Sequence, residues 1–166
     1  MRLWEFALAA WGRPGVEAAS LTLQDEHGQC VPLVLWRAWA VAEGRAVPDT
    51  DRILEVARYC EGQILAPLRA TRRAVKAPGN ADIRKALRAS ELAAERDLLE
   101  ALEELTPVPT GHRDNLARAL SDLAFAWNGA RPAEALAVLA ERLGSELPPA
   151  TALLICPPDG RPDGRS

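Results

Sequence analysis

A run of twelve residues, Val31 to Ala42, is the feature that most limits what this chain can fold into. At helical spacing it is apolar around its whole circumference except at Arg37. A surface helix has one apolar face, whereas a helix that is apolar on all sides needs neighbours all around it. The run is also well short of the roughly 20 apolar residues that cross a bilayer. We therefore predict the central helix of an all-α bundle and no membrane span.

The other long segments carry apolar residues on one face, at spacings of three and four that are typical of amphipathic helices. Glycine and proline separate these segments, as they do at helix ends. The spacing predicts helices over 3–11, 14–27, 50–76, 82–105, 110–127 and 132–143. With the central helix they make an all-α bundle of about six or seven helices. Pro67 should kink the longest of them.

The two longest predicted helices are separated only by a turn at Pro78, Gly79 and Asn80. A connection this short joins antiparallel neighbours. We therefore predict a long central antiparallel hairpin made of 50–76 and 82–105.

With 166 residues, the chain is about one domain long. We predict a single helical domain over 1–156, in which 151–156 is a short extended piece against the bundle. The last segment, 157–166, consists mainly of Pro, Asp, Gly and Arg and offers almost nothing apolar to bury. It should therefore be disordered.

Three cysteines, Cys30, Cys60 and Cys156, lie far apart in a chain whose first residues lack the regions of a secretion signal. This pattern is typical of a reducing compartment. The excess of arginine over lysine and the many alanines indicate a GC-rich bacterial genome, so we expect a bacterial cytoplasmic protein. A net charge of −3 excludes a protein whose whole surface is basic.

Charge is segregated along the predicted hairpin. Between Arg58 and Arg88, eight cations face only Glu61 and Asp82, whereas acids dominate 89–104. Clustered guanidiniums suit the phosphates of a nucleic acid or the carboxylates of an acidic protein. The alternative is that the cations and acids of the hairpin neutralise each other. Six cations form the candidate binding surface, which we call the arginine stripe: Arg58, Arg69, Arg73, Lys76, Arg84 and Arg88.

Two charged positions fall on apolar helix faces and need partners. Glu91 projects among leucine and alanine side chains, so we predict an ion pair with Arg72 or Arg69 of the neighbouring helix. Arg72 lies nearer the apolar border, whereas Arg69 should point to solvent with the rest of the stripe. Arg37 is the only charge of the central helix, and Asp25 ends the helix before it, so we predict an Asp25–Arg37 pair.

Chemical sites are weakly supported by the sequence. Asp25 with His27 would form an acid–base or metal site, but the only other histidine is His112, and the spacing fits no helical metal motif. No phosphate loop, dinucleotide fingerprint or nucleophile with a neighbouring base is present. We therefore expect no metal, no cofactor and no catalytic residue.

Four tryptophans, Trp4, Trp11, Trp36 and Trp39, fall within the first 40 residues. Indoles bury large areas, so most of them should belong to the core. One or two left exposed would mark a binding groove between the first and third helices, because exposed apolar area usually serves a partner.

Several short motifs occur together: Leu3-Trp4-Glu5-Phe6-Ala7-Leu8, Leu23-Gln24-Asp25 with His27-Gly28, Leu33 to Trp39, Leu68-Arg69 with Arg72-Arg73, and Ala89 to Arg96. With them the chain resembles an uncharacterised proteobacterial protein family that has no established activity. The resemblance covers about residues 3–105, the family-like core, and leaves 106–156 as a helical extension. It implies a helical fold and a bacterial cytosolic setting. It supplies no catalytic residues.

Charge segregation without recognisable chemistry favours a non-catalytic interaction or regulatory module whose partner is another protein. Two alternatives stay open. One is a nucleic-acid binder that uses the arginine stripe, and its affinity should fall steeply with salt. The other is a small-ligand binder or enzyme around Asp25, Arg37 and Glu91, and it should have a cavity lined by Asp25 or Glu91.

Overall fold

The structure is a computed structural model that describes residues 1–47, 49–75, 79–111 and 114–144. These residues form helices and connecting loops, with no strand among them. The helices are α1 (Leu3–Trp11), α2 (Val16–Asp25), α3 (Val31–Ala42), α4 (Thr50–Cys60), α5 (Ala66–Ala74), α6 (Ala81–Glu104), α7 (Leu116–Asn128) and α8 (Ala133–Gly144), and a π-helical turn (Glu61–Leu65) joins α4 to α5. Because α4, the turn and α5 follow one another without a break, the described residues form seven helices. The predicted all-α bundle is confirmed.

α3 is the centre of the bundle, as its all-round apolar sequence predicts. It contacts α1, α2, α6, α7 and α8, and Trp36 and Trp39 are fully buried. Each indole N–H donates to an acceptor, a threonine hydroxyl at 2.7 Å for Trp36 and a main-chain carbonyl at 2.9 Å for Trp39. Trp4 and Trp11 are half-buried against the same core. None of these four described indoles is exposed, so no exposed indole marks a groove between α1 and α3.

The helices after residue 105 complete the core. α7 packs against α3, and α8 packs against α2 and α7. Leu120 and Leu139 are fully buried in the same cluster as the leucines of α3. Asn128, at the end of α7, donates from Nδ2 to the His27 carbonyl at 2.9 Å and so ties α7 to the loop between α2 and α3. The predicted extended piece at 151–156 and the predicted tail at 157–166 lie outside the described residues.

The predicted start of the next helix at Thr110 is wrong, because α7 begins at Leu116. The Thr110 N–H donates to the Gly44 carbonyl at 3.0 Å, which draws this residue into a loop contact. Asn115 supplies the N-cap instead, since its side chain accepts the Arg118 N–H at 2.9 Å. A side-chain oxygen at this position satisfies one of the free amides of the first turn.

A π-helical turn interrupts the long helix just before Pro67, and the predicted kink at Pro67 stays a prediction. Proline lacks the N–H that would continue the α-helical pattern, and a π turn accommodates one extra residue. After this turn, the face of the helix that points to the core is therefore shifted by one residue. Leu65 is fully buried where the uninterrupted period predicts Ile64, which is exposed.

α6 lies against α4, the π-helical turn and α5. Its contacts run in the opposite chain order, since Arg69 reaches Glu95 and Arg72 reaches Glu91. The connecting residues 76–78 lie outside the described part of the chain. The predicted antiparallel hairpin as a whole therefore stays a prediction.

Candidate functional site

The charged side chains of α5 and α6 meet in an ion cluster just beyond the π-helical turn. Arg69 Nη1 donates to Glu61 Oε1 at 2.6 Å, and Arg69 Nη2 donates to Glu95 Oε1 at 3.3 Å. Arg72 Nε donates to Glu91 Oε1 at 2.6 Å. The predicted pair between Arg72 and Glu91 is thus present. We call these five residues the ion cluster.

The predicted outward orientation of Arg69 is wrong. Its exposed fraction is 5%, and it is the one fully buried cation of the described residues. The π-helical turn causes this, because the extra residue rotates α5 until Arg69 takes the inward position that regular spacing gives to Leu68. The sequence signal that could have revealed the shift is Pro67, which frees a carbonyl in the preceding turn.

Carboxylates outnumber guanidiniums in the ion cluster by three to two. Glu91 is buried, with 8% of its surface exposed, and Glu61 Oε2 is buried without a hydrogen-bond partner among the described residues. Burial raises the pKa of Glu95 above its usual range, while the adjacent Arg69 lowers that pKa in part and the Glu91 and Glu61 carboxylates raise it again. The cluster therefore holds more negative charge than its cations compensate.

Two thiols lie near the ion cluster. Burial raises the pKa of Cys30, and the Glu61 carboxylate raises it further. The pKa of Cys60 is raised by the same two causes in the same order. Because the thiolate is the nucleophilic form, neither thiol is activated for chemistry.

The predicted Asp25–Arg37 pair is wrong. Arg37 is bound to Asp114, in the loop before α7, and Asp25 accepts from Arg73 Nη2 at 2.8 Å. The reason is packing, since α3 contacts α7 more extensively than it contacts α2. Arg37 is largely buried, as expected, but on the α7 side of its helix.

The members of the arginine stripe have different partners. Arg58 donates to the Ala126 and Trp127 carbonyls at 3.0 and 3.2 Å, where it caps the end of α7. Arg84 donates to the Val75 carbonyl at 3.1 Å and so links α6 to the end of α5. Lys76 lies outside the described residues.

Four cations of the arginine stripe, Arg69, Arg73, Arg84 and Arg88, lie on what we call the arm, residues 66–75 and 79–90. Arg69 is the single fully buried residue of these two described ranges. The arm contains five arginines and Lys85 but only one acid, Asp82. Arg73, Lys85 and Arg88 are exposed on it, and so is Ile83, with 53% of its surface accessible.

A groove between α4 and α6 has no counterpart in the sequence predictions. Val56, Cys60, Leu98 and Ala101 line it, and the strongly exposed Tyr59 stands beside them. The groove depends on how far apart two helices pack, which residue spacing within either helix does not reveal.

The residues proposed for a chemical site do not come together. Asp25, Arg37 and Glu91 belong to three separate ion pairs. His112 lies outside the described residues, and in the described part of the chain no three ligating side chains form a group that could hold a metal.

Comparison with known proteins gives a family. Within the four described ranges, no helix has both the length and the apolar character to span a bilayer. Neither the curated proteins nor the solved structures contain a match to this chain. One family model matches residues 2–102, which span α1 to most of α6. The chain therefore belongs to the family described as protein of unknown function (DUF2390).

Proposed function

We propose that the protein is a non-catalytic interaction module that uses the arm to bind an acidic protein surface. The observation that carries this proposal is the excess of cations on the arm. Arg69 and Arg72 are occupied by the ion cluster, and Arg84 holds the end of α5. Arg73, Lys85 and Arg88 are also exposed on the arm, and Arg73 forms a half-exposed ion pair with Asp25 of α2.

A protein partner is favoured over a nucleic acid by what surrounds these cations. The arm contains no aromatic residue, so it offers no stacking platform for bases. It does expose Ile83, and Leu92 of the same helix is exposed as well. Apolar side chains among guanidiniums suit a protein interface, where a desolvated centre is surrounded by charged groups.

The setting that we propose is the bacterial cytoplasm. Cys30 and Cys60 are both free thiols, which agrees with a reducing compartment.

Affinity capture from a native lysate tests the proposed function. The wild-type chain is compared with a triple variant, Arg73→Gln, Lys85→Gln and Arg88→Gln, after nuclease treatment. A control triple variant, Arg118→Gln, Arg131→Gln and Arg142→Gln, loses the same charge from α7, α8 and the loop between them. We expect one protein to be retained by the wild type and the control and lost from the arm variant, with retention that falls as salt rises. Equal capture by all three chains would contradict the proposal, as would a partner that nuclease removes.

A further inference from the structure

α5 is attached to the bundle in a way that differs from every helix around α3. Of its nine described residues, Arg69 alone is fully buried, and its apolar residue Leu68 is half-buried. α5 packs against α6 and the π-helical turn. Its attachment therefore depends mainly on the ion cluster and on the hydrogen bond from Arg84, since the Arg73–Asp25 pair is half exposed.

The ion cluster carries more negative than positive charge. The titratable groups in and around it come from every neighbouring element. Glu61 comes from the π-helical turn, and Glu91 and Glu95 come from α6, opposite Arg69 and Arg72 of α5. Asp97 of α6 and the Cys60 thiol at the end of α4 lie close by, as does the Cys30 thiol before α3. Full ionisation of three carboxylates around two guanidiniums in a partly buried place is costly.

We propose that α5 is a pH-sensitive latch, which opens from the π-helical turn as a unit while the bundle stays folded, and which closes more tightly when the ion cluster takes up a proton. π-helical turns are rare and occur mostly as single interruptions within α-helices, so this turn is the natural place for the break. The inference deepens the proposed function, on which it rests for its purpose, because opening α5 changes the arm that carries the exposed cations.

The direction of the pH effect follows from Glu95. Its pKa in the folded chain is raised by burial, so the closed state takes up a proton more readily than the open state. The latch has its full strength below the ordinary pKa of glutamate and loses part of it as the pH rises through the raised pKa of Glu95. Mild acid should thus close α5, and neutral pH should loosen it.

Amide hydrogen exchange of the full chain, measured by mass spectrometry and corrected for intrinsic rates, tests the latch directly. We expect the amides of α5 to be protected about a hundredfold less than those of α3, because local opening needs less free energy than global unfolding. Their protection should fall as the pH rises above the ordinary pKa of glutamate. Equal protection of α5 and α3 would overturn the proposal, and so would protection of α5 that is independent of pH.

The substitution Glu95→Gln distinguishes a pH-sensitive latch from an ordinary ion pair that holds α5 closed. The amide oxygen still accepts from Arg69, but the buried charge is gone. We expect α5 protection at neutral pH to rise several-fold and to lose its pH dependence. Glu100→Gln is the matched control, since Glu100 lies on the same helix in an exposed pair with Arg96, and it should leave α5 exchange unchanged. A fall in α5 protection in Glu95→Gln would show that ionised Glu95 holds the helix closed, which overturns the proposal.

The exchange measurements need no partner, so their failure is distinct from a failure of the capture experiment, which tests the exposed cations alone.

Discussion

The bundle around α3 and the arm are both helical, but different interactions hold them. Nine of the twelve residues of α3 are buried, all of them uncharged. Of the nine residues of α5 one is buried, and it is an arginine. In the first ten residues of α6, all of them described, none is fully buried. Amphipathic spacing alone therefore does not tell how a helix is attached.

The comparison bears on where stability resides. Burying an apolar side chain stabilises the fold by about 1.5–3 kcal/mol, and α3 buries such side chains against several neighbouring helices. A buried ion pair is strongly destabilising to break but contributes little net stability when it is intact, because its charges must first leave water. We thus expect the bundle to unfold last and the arm to respond first to changes of charge.

The largest effect should come from removing α7 and α8. A chain that ends at Thr110 leaves the side of α3 that faces these helices open to water, so we expect it to have no cooperative thermal transition and little near-ultraviolet circular dichroism. A control chain that ends at Cys156 and lacks only the predicted tail should keep the wild-type melting temperature. A cooperative transition in the shorter chain would show that the bundle is complete without these helices.

Arg69→Met should give the next largest loss. It leaves Glu61 and Glu95 without their cation, and breaking a buried pair in this way costs about 3–5 kcal/mol. If α5 opens on its own once the ion cluster is broken, the measured loss is limited to the free energy that holds α5 closed. A loss of about 3 kcal/mol or slightly less therefore agrees with local opening of α5. Denaturant unfolding measures it, with Arg96→Gln as the control for an exposed ion pair on α6. A loss as small as that of the control would mean that the ion cluster contributes nothing to stability.

A double-mutant cycle should couple Arg37 to Asp114 and not to Asp25. Hydrogen bonds to charged groups contribute about 1.5–3 kcal/mol, and Arg37 is largely buried. Equilibrium unfolding of Arg37→Gln, Asp114→Asn and the double variant gives the coupling energy. A matching cycle with Asp25→Asn should give a coupling near zero. The opposite result would restore the pair that the sequence predicts and would contradict the packing of α3 on α7.

Arg73→Gln should have the smallest effect on stability. Its pair with Asp25 joins two side chains that are each about half exposed, and such pairs contribute under about 1 kcal/mol. Urea denaturation at low and high salt measures this effect, which should vanish at high salt. A loss above about 2 kcal/mol would place Arg73 among the residues that hold the arm and would remove it from the proposed binding surface.

The sequence predicted most of the fold because helix periodicity and helix ends are local properties. The all-round apolar run of α3 predicted its central position, and Glu91 on an apolar face predicted an ion pair with Arg72 or Arg69, of which Arg72 is the partner. The predictions were wrong where a polar group binds a residue that is remote in the chain instead of a nearby one. Thr110 binds Gly44 across the chain instead of starting a helix, and Arg37 binds Asp114, which lies 77 residues away.

The sequence by itself determined which segments are helical, which helix is central and that charge is segregated along the long helices. Only the tertiary structure decided which of these charges are buried and with which groups they pair. The π-helical turn turned Arg69 from the predicted surface into the ion cluster, and the end of α7 took Arg58 as its cap. The physical reason is that periodicity fixes directions around a helix axis only while the helix is regular. One extra residue rotates everything after it, and partners are then chosen by packing between elements that are remote in the chain.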